Sequence, residues 1–330
     1  MKKYLVVCAA ALLLLPCFPL LSQEADEPGP GVEFTVVPRL DVSYEDGGLA
    51  LGNSSIYSLF EGNIGDNLSF SLCNHWASFG MNGNLPGIDP DWEWNWHRLV
   101  DWAYLGYDIG NFNISLGRMQ MFGGGMEFDL YDWEVHPILA SSLWNNFDVY
   151  QEAVSLTWGM EEIGTELSLQ MATSPFGDPA HPFADKLYSF GAQWRGDYDF
   201  VRNIWSVSYM NTGAGWFPLV SLGQTFDFGD GWAYTLDWSN LVFDPMGYAI
   251  EGSSLYLEAC RTISDAWSVS GRCGIETTWD DSFTGFTIGG FVHWTPIENL
   301  RIHAAAGYNN AWGGFNALGG LMYTFSLSSR

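Results

Sequence analysis

Positively charged residues are scarce in this chain. It holds 12 Lys and Arg against 38 Asp and Glu, which gives a formal net charge of −26 at pH 7. Proteins that bind nucleic acid neutralise its phosphates with clustered Lys and Arg. The scarcity of basic side chains therefore argues against nucleic acid as a partner.

Cysteine is also scarce, and no two cysteines form a Cys-x-x-Cys pair. Two of the five lie in the first 17 residues, which leaves Cys73, Cys260 and Cys273 in the body of the chain. An odd number at irregular spacing is not a disulfide framework. We expect isolated thiols that pack as small wall residues, with a single disulfide as the alternative, and we expect no metal and no other cofactor.

Uninterrupted apolar runs are short throughout the chain. The run Leu5–Leu15 follows Lys2 and Lys3 and is too short to cross a bilayer as a helix. This pattern is typical of a secretory signal peptide, and Ser22 predicts cleavage before Gln23. No later run approaches the roughly 18 apolar residues that a membrane helix needs, so we expect no helical anchor.

The predicted division of the chain is a signal peptide at 1–22, a short periplasmic leader at 23–32 and a β-barrel at 33–330. Cleavage removes the two lysines of the signal and takes the formal charge from −26 to about −28. A lipid anchor at Cys17 is the alternative, but Pro16 stands where such processing prefers a small residue.

Catalytic motifs are absent from the sequence. It contains no HExxH, GxSxG or P-loop pattern. A nucleophilic site needs a nucleophile, a base and an orienting acid close together. The histidines are instead scattered along the chain, at His75, His97, His136, His181, His293 and His303. We therefore expect no enzymatic activity.

What the sequence has in abundance is alternation of apolar with small or polar residues. In 188–195, the apolar residues Tyr188, Phe190, Ala192 and Trp194 take every second place, and small or polar residues such as Ser189 lie between them. Side chains on a strand alternate between faces, so this pattern predicts strands with one apolar and one polar face. Sixteen such strands are predicted, at about 33–45, 54–62, 67–76, 99–108, 112–120, 147–158, 163–173, 187–196, 202–211, 217–228, 231–241, 250–261, 264–278, 283–294, 299–309 and 317–328.

The predicted connections alternate between short and long. Short turns recur at 109–111, 161–163, 229–230, 262–264 and 296–298. The three longest connections, at 78–98, 121–146 and 174–186, all belong to the opposite set. Bacterial outer-membrane barrels place short turns on the periplasmic side and longer loops outside. The fold class is therefore all-β: a transmembrane antiparallel barrel of about sixteen strands.

Charged residues on the polar faces of these strands are candidates for the lumen wall. They are Glu166, Arg195, Asp237, Glu258, Arg272, Glu276 and Arg301. Each arginine has acids near it, so the sequence offers no ladder of basic side chains. His303 lies on the same inward row as Arg301, and we interpret it as a polar wall residue and not as a catalytic base.

The segment Asp101–Asn146 carries a family resemblance. It contains a strand, a tight turn and a second strand that ends in Leu116, Gly117 and Arg118, and a Gly-rich loop follows, in NISLGRMQMFGGG. This order resembles the bacterial porins that include the phosphate-selective porins. The resemblance implies a sixteen-stranded channel, a homotrimer, and a third external loop folded into the lumen. Phosphate selectivity is not carried over, because the basic ladder is missing.

The predicted third loop, 121–146, carries four acids that would line a constriction: Glu127, Asp129, Asp132 and Glu134. If the loop folds inward, these carboxylates favour cations in the lumen. The alternative is a loop that caps the outside and binds divalent ions among lipopolysaccharide.

An aromatic run in the second long loop is a possible sugar contact. It consists of Trp92, Trp94 and Trp96, with acids between and before them. Aromatic faces stack on pyranose rings, and carboxylates accept the hydroxyl groups. The alternative that we favour is a latch that packs on a neighbouring subunit or on the barrel rim.

The sequence as a whole predicts a passive porin in the outer membrane of a Gram-negative bacterium. The channel would pass small hydrophilic solutes and ions with a mild preference for cations, surrounded by outer-membrane lipid and lipopolysaccharide. The first alternative is a non-channel surface barrel, such as an adhesin or a protein for glycan binding or saccharide uptake. The second is a secreted soluble glycan-binding sandwich.

Overall fold

The computed structural model describes residues 31–45, 48–51, 54–78, 99–229, 231–243, 249–311 and 314–329. The described chain is almost entirely extended. Its strands are β1 (Val32–Glu45), β2 (Gly48–Ala50), β3 (Ser55–Ile64), β4 (Leu68–Ser78), β5 (Val100–Ile109), β6 (Phe112–Gln120), β7 (Tyr150–Met160), β8 (Thr165–Thr173), β9 (Tyr188–Tyr198), β10 (Val201–Asn211), β11 (Trp216–Asp227), β12 (Trp232–Phe243), β13 (Ala249–Ser264), β14 (Trp267–Thr278), β15 (Thr284–Ile297), β16 (Leu300–Asn309), β17 (Gly314–Tyr323) and β18 (Phe325–Ser329).

These strands form one closed antiparallel barrel. From β3 to β17 consecutive strands pair with one another, and β1 pairs with β3 on one side and with β17 and β18 on the other. Strand β18 continues β17 after Thr324, and the short β2 only extends the hairpin at the end of β1. Counted around its circumference, the barrel therefore has sixteen strands, and the predicted all-β fold class is confirmed.

The connections at the two ends of the barrel differ in length. Those that follow β3, β5, β7, β9, β11, β13 and β15 have only two to four residues. The three longest connections, after β4, β6 and β8, all lie at the opposite end. This asymmetry matches the short turns and long loops that the sequence predicts.

Large apolar side chains cover the outer surface of the barrel. Leu105, Leu116 and Leu169 expose between 54% and 62% of their surface, whereas Ser206 and Ser208 face inward and are buried. An apolar belt around a polar interior suits a bilayer, since the closed barrel satisfies every backbone hydrogen bond between strands. The fold is thus that of a transmembrane barrel.

Helical segments are few in the described residues. They comprise α1 (Ser142–Asn146) and two 3₁₀ turns, Met126–Asp129 and Glu161–Ile163. In the part of the chain that the structure describes, no helix is long and apolar enough to cross a membrane. The predicted signal peptide lies outside the described residues, as does the leader apart from its last two residues, so this division of the chain stays a prediction.

The largest apolar core lies inside the barrel. It joins Met121, Phe128, Leu143, Phe147 and Val149, from the connection between β6 and β7, to residues of the wall. The wall contributes Met210, Leu219, Leu241 and Phe243. A long connection therefore packs against the inner surface of the strands.

Candidate channel constriction

The connection between β6 and β7, residues 121–149, is called the inner loop here. It begins along β10 and β11, where wall serines donate hydrogen bonds to its first carbonyl oxygens. These are Ser208 to Phe122, Ser206 to Gly124 at 3.2 Å, and Ser221 to Gly123 at 3.3 Å. A Cβ atom on Gly223 would lie 2.4 Å from the backbone nitrogen of Met126, so glycine is needed for this close approach.

Glu127 joins the inner loop to the wall through a buried ion pair. Its carboxylate accepts hydrogen bonds from Arg272 and from the hydroxyl of Ser141, at 2.5 Å. Arg272 also donates to Glu258 at 3.2 Å and lies over the ring of Tyr256, 4.8 Å from its centroid. Glu127 and Arg272 expose only 4% and 9% of their side chains. This loop acid is therefore compensated and is not open to the lumen.

Two predicted wall acids accept hydrogen bonds from backbone amides of the inner loop. Asp237 accepts from the backbone nitrogens of Met126 and Glu127, at 2.6 and 3.1 Å. Glu276 accepts from the backbone nitrogen and the hydroxyl of Ser142, at 3.0 and 2.7 Å. The first amides of a helical turn have no carbonyl partner within the turn, so the two acids help to fix the course of the loop.

Asp129 is held by two wall arginines. Its carboxylate lies 2.6 Å from Arg195 on β9 and 3.0 Å from Arg202 on β10. Glu166 stands opposite Arg195 in the pairing of β8 with β9, and both line a cavity of about 240 Å³ beside the loop. The structure brings these predicted residues together. Arg202 was not among the sequence candidates.

Asp132 and Glu134 differ from the first two loop acids. Asp132 accepts a hydrogen bond from the hydroxyl of Tyr150 at 3.0 Å, and burial raises the pKa of its carboxyl to about 6. Glu134 is half-buried. Within the described residues, neither acid has a Lys, Arg or His nitrogen within 4 Å. Their charges are the ones in the loop that no ion pair cancels.

Arg301 and Arg39 bind backbone carbonyl groups of the inner loop. Arg301 donates to the carbonyl oxygen of Trp133 at 3.0 Å. Arg39, on β1, donates to the same oxygen and to that of Val135, both at 2.9 Å. Sequence reasoning missed Arg39, although the inward alternation of β1 could have revealed it.

Buried histidines lie beside these contacts between the inner loop and the wall. His303 pairs with Asp41 at 2.8 Å, and Asp41 also binds Arg39. His136 of the inner loop meets His293 with 2.9 Å between their Nε2 atoms, and burial holds the pKa of His136 well below its usual value. Among the described residues, no cluster of His, Cys, Asp and Glu has the arrangement of a metal site.

Leu139, in the second half of the inner loop, packs into a recess of the barrel wall, called the Leu139 seat here. It is buried against Ala305 and Leu318. A Cβ atom on Gly307 would lie 2.5 Å from Cδ2 of Leu139. The Leu139 seat therefore depends on Gly307, because a larger residue there would occupy the space of the Leu139 side chain.

Aromatic rings lie between the inner loop and the wall of β3, β5 and β7. They are Tyr57, Trp102, Tyr131, Trp133 and Tyr150, and the sequence analysis did not single them out. The predicted sugar contacts Trp92, Trp94 and Trp96 lie outside the described residues.

Solved structures of bacterial porins share this architecture. An engineered variant of the porin from Rhodopseudomonas blastica matches with a TM-score of 0.63 and 13% identity, over 89% of this chain and 100% of that one. The anion-selective porin from Comamonas acidovorans matches with a TM-score of 0.64 and 12% identity, over 89% of this chain and 99% of that one. This chain has the fold of the bacterial porins.

At these identities the likeness shows the porin fold alone. No protein-family model matches the chain, and no curated protein sequence does. Activity and selectivity must therefore be argued from this chain's own residues.

Proposed function

We propose that this protein is an outer-membrane porin, a water-filled channel for passive diffusion of small hydrophilic solutes and ions. The observation that carries the proposal is an inner loop that is bonded to the inner wall and leaves separate cavities beside it. A barrel of sixteen strands is too wide for side chains alone to fill, unlike one of about eight. Passive diffusion through such a lumen needs no cofactor and no catalytic cycle.

Catalysis is no part of this proposal. His303, the histidine with the closest buried acid partner, shares Asp41 with Arg39 behind the inner loop. Its side chain is wholly buried, so it offers no base to a solute.

The wider setting of the proposal is the outer membrane of a Gram-negative bacterium. The apolar outer belt would face lipid, and the long external loops would face lipopolysaccharide. A homotrimer follows from the resemblance to trimeric porins. Chemical cross-linking of the protein in native membranes tests this assembly, because a trimer gives a ladder that ends at three copies.

A mild preference for cations is also part of the proposal. The porin fold does not fix the sign, since the protein from Comamonas acidovorans is anion-selective. In this chain, ion pairs with acids occupy Arg39, Arg195, Arg202 and Arg272, which reduces their attraction for anions. Among the described residues, Asp132 and Glu134 have no Lys, Arg or His nitrogen within 4 Å, and their carboxylates would raise the local cation concentration.

Liposome swelling tests the channel directly. Folded, purified barrel is reconstituted into vesicles, which are placed in isotonic solutions of a pentose, a hexose and a trisaccharide. We expect swelling that slows as the solute grows. Vesicles without protein, and vesicles mixed with heat-unfolded protein, are the controls. A folded barrel that admits none of the solutes would favour the alternative of a plugged surface barrel, such as an adhesin.

A further inference from the structure

Five aromatic side chains form a continuous series on one side of the lumen, called the aromatic ladder here. The ring of Tyr57 lies 5.0 Å from Trp133, which stacks at 4.4 Å on Tyr131. Tyr131 lies 6.0 Å from Trp102, and Trp102 lies 5.7 Å from Tyr150. Tyr131 and Trp133 come from the inner loop, and the other three come from the wall.

The aromatic ladder lies between two cavities. The cavity toward the long loops has a volume of about 380 Å³ and is lined by Tyr57, Tyr150 and Asp132 among others. The cavity toward the short turns has a volume of about 200 Å³ and is lined by Trp102, Tyr131 and Tyr150. Tyr150 borders both cavities, so aromatic rings line each of them on this side of the inner loop.

The edges of the smaller cavity are polar. Glu61 and Ser71 line it, together with Gln120. Among the described residues, no basic side chain lines this cavity, which disfavours an anion. The charge of Asp129, which also lines it, is offset by Arg195 and Arg202. This compensation leaves Glu61 as the one carboxylate that has no arginine partner in the lining, and its oxygens can accept hydrogen bonds from the hydroxyl groups of a neutral solute.

The ligand that matches this combination is a sugar. One face of a pyranose ring presents C–H groups, which pack on an aromatic ring, while its hydroxyl groups need acceptors and donors at the edges. The smaller cavity offers both kinds of contact. Tyr131 exposes 43% of its surface and is the most exposed ring of the aromatic ladder, since Tyr57 and Trp133 are buried and the other two are partly buried.

We propose that the aromatic ladder and the smaller cavity form a binding subsite for a neutral pyranose on its way through the channel. This inference rests on the proposed porin function and names a substrate class for it. The site would slow and select sugars relative to other small polar solutes.

The test is a titration of the folded full-length barrel in detergent with D-glucose, followed by tryptophan fluorescence and calorimetry. We expect a saturable signal. Tyr131→Ala should weaken binding by about tenfold, as loss of a stacking ring does. Tyr131→Phe keeps the ring and should bind as the wild type does. The matched control is Trp279→Ala, which removes an aromatic side chain that is 79% exposed on an external loop.

Three outcomes would overturn the sugar subsite. They are the absence of a saturable signal, equal weakening by Trp279→Ala and Tyr131→Ala, and binding of choline in place of glucose. The last would make the ladder a site for organic cations.

Measuring the conductance of the same samples shows whether the sugar subsite or the porin proposal has failed. A channel that conducts but binds no glucose keeps the porin proposal and removes the sugar subsite. A barrel that binds glucose through Tyr131 but conducts nothing removes the porin proposal, and the sugar site then no longer belongs to a channel. If both hold, glucose should reversibly lower the potassium chloride current, and less so in Tyr131→Ala.

Discussion

Arg272 shows what a single residue contributes to this barrel and how far the sequence reveals it. Strand alternation predicts Arg272 as an inward candidate, because the side-chain period of a strand is two. Its main partner, Glu127, is 145 residues away in the chain, so no local pattern could identify the pair. The four loop acids look alike in sequence, yet two are compensated by arginines and two are not.

Removal of Arg272 should destabilise the barrel more than removal of a more exposed arginine. In Arg272→Met, Glu127 stays buried without its counter-ion, and we expect a loss of about 3 kcal/mol in the free energy of unfolding. In Arg202→Met the lost side chain is 29% exposed, and we expect less than about 1 kcal/mol. Urea unfolding of the barrel in lipid vesicles measures both.

A double variant isolates the cause. Arg272→Met combined with Glu127→Gln removes one of the two carboxylate charges that lose Arg272, the other being that of Glu258, so it should be more stable than Arg272→Met alone. Equal stability of Arg272→Met and the wild type would contradict the buried ion pair.

The pH dependence of selectivity should report on Asp132. Burial raises the pKa of this carboxyl to about 6, so its charge is present above pH 6 and is lost as the pH falls through that value. We expect the ratio of potassium to chloride permeability to fall between about pH 7 and pH 5. Reversal potentials across this range provide the measurement.

Two neutral variants give this titration its controls. Asp132→Asn should show the lower ratio already at pH 7 and no step near pH 6. Asp280 lies on an external loop, and hydrogen bonds from Ser282 and Thr278 lower its pKa to about 2. Asp280→Asn should therefore behave as the wild type does, and a step that survives in Asp132→Asn would assign the titration to another group.

At the level of elements, strands were predictable and the course of the inner loop was not. Each predicted strand lies within about three residues of an observed one, because alternation and turn residues are local signals. The loop follows contacts to β1, β9, β10, β12 and β14 to β16, which only the closed barrel brings together. Its length predicted a special function, as unstructured connections of this size are uncommon.

We expect the second half of the inner loop to depend on Leu139 for its packing against the barrel wall. Leu139→Ala empties the seat at Gly307, and we expect a loss of about 3 kcal/mol in loop docking. Limited proteolysis of the folded barrel should then cut the inner loop about 100-fold faster than in the wild type. Ile163→Ala, at a turn where the side chain is 59% exposed, is the aliphatic control. Equal cleavage of Leu139→Ala and wild type would contradict a docked loop.

For the whole molecule, the fold accounts for the lumen, whereas the charges inside the barrel determine which ions it favours. The sixteen-stranded barrel explains why a lumen exists, and the same fold includes a porin that selects anions. The sign of selectivity must come from the charges that remain after ion pairing inside the barrel. The net charge of −26 describes the chain as a whole and indicates cations only in a general way.

The central claim is an open channel with a mild preference for cations, and its most direct test is the reversal potential of single channels in a planar bilayer. Folded wild-type protein is measured under a gradient of potassium chloride, with Glu134→Gln and Asp132→Asn beside it. We predict stable conductance steps and a reversal potential on the potassium side, which moves toward zero in both variants. A reversal potential on the chloride side would contradict the charge assignment, and a folded barrel without steps would contradict the channel itself.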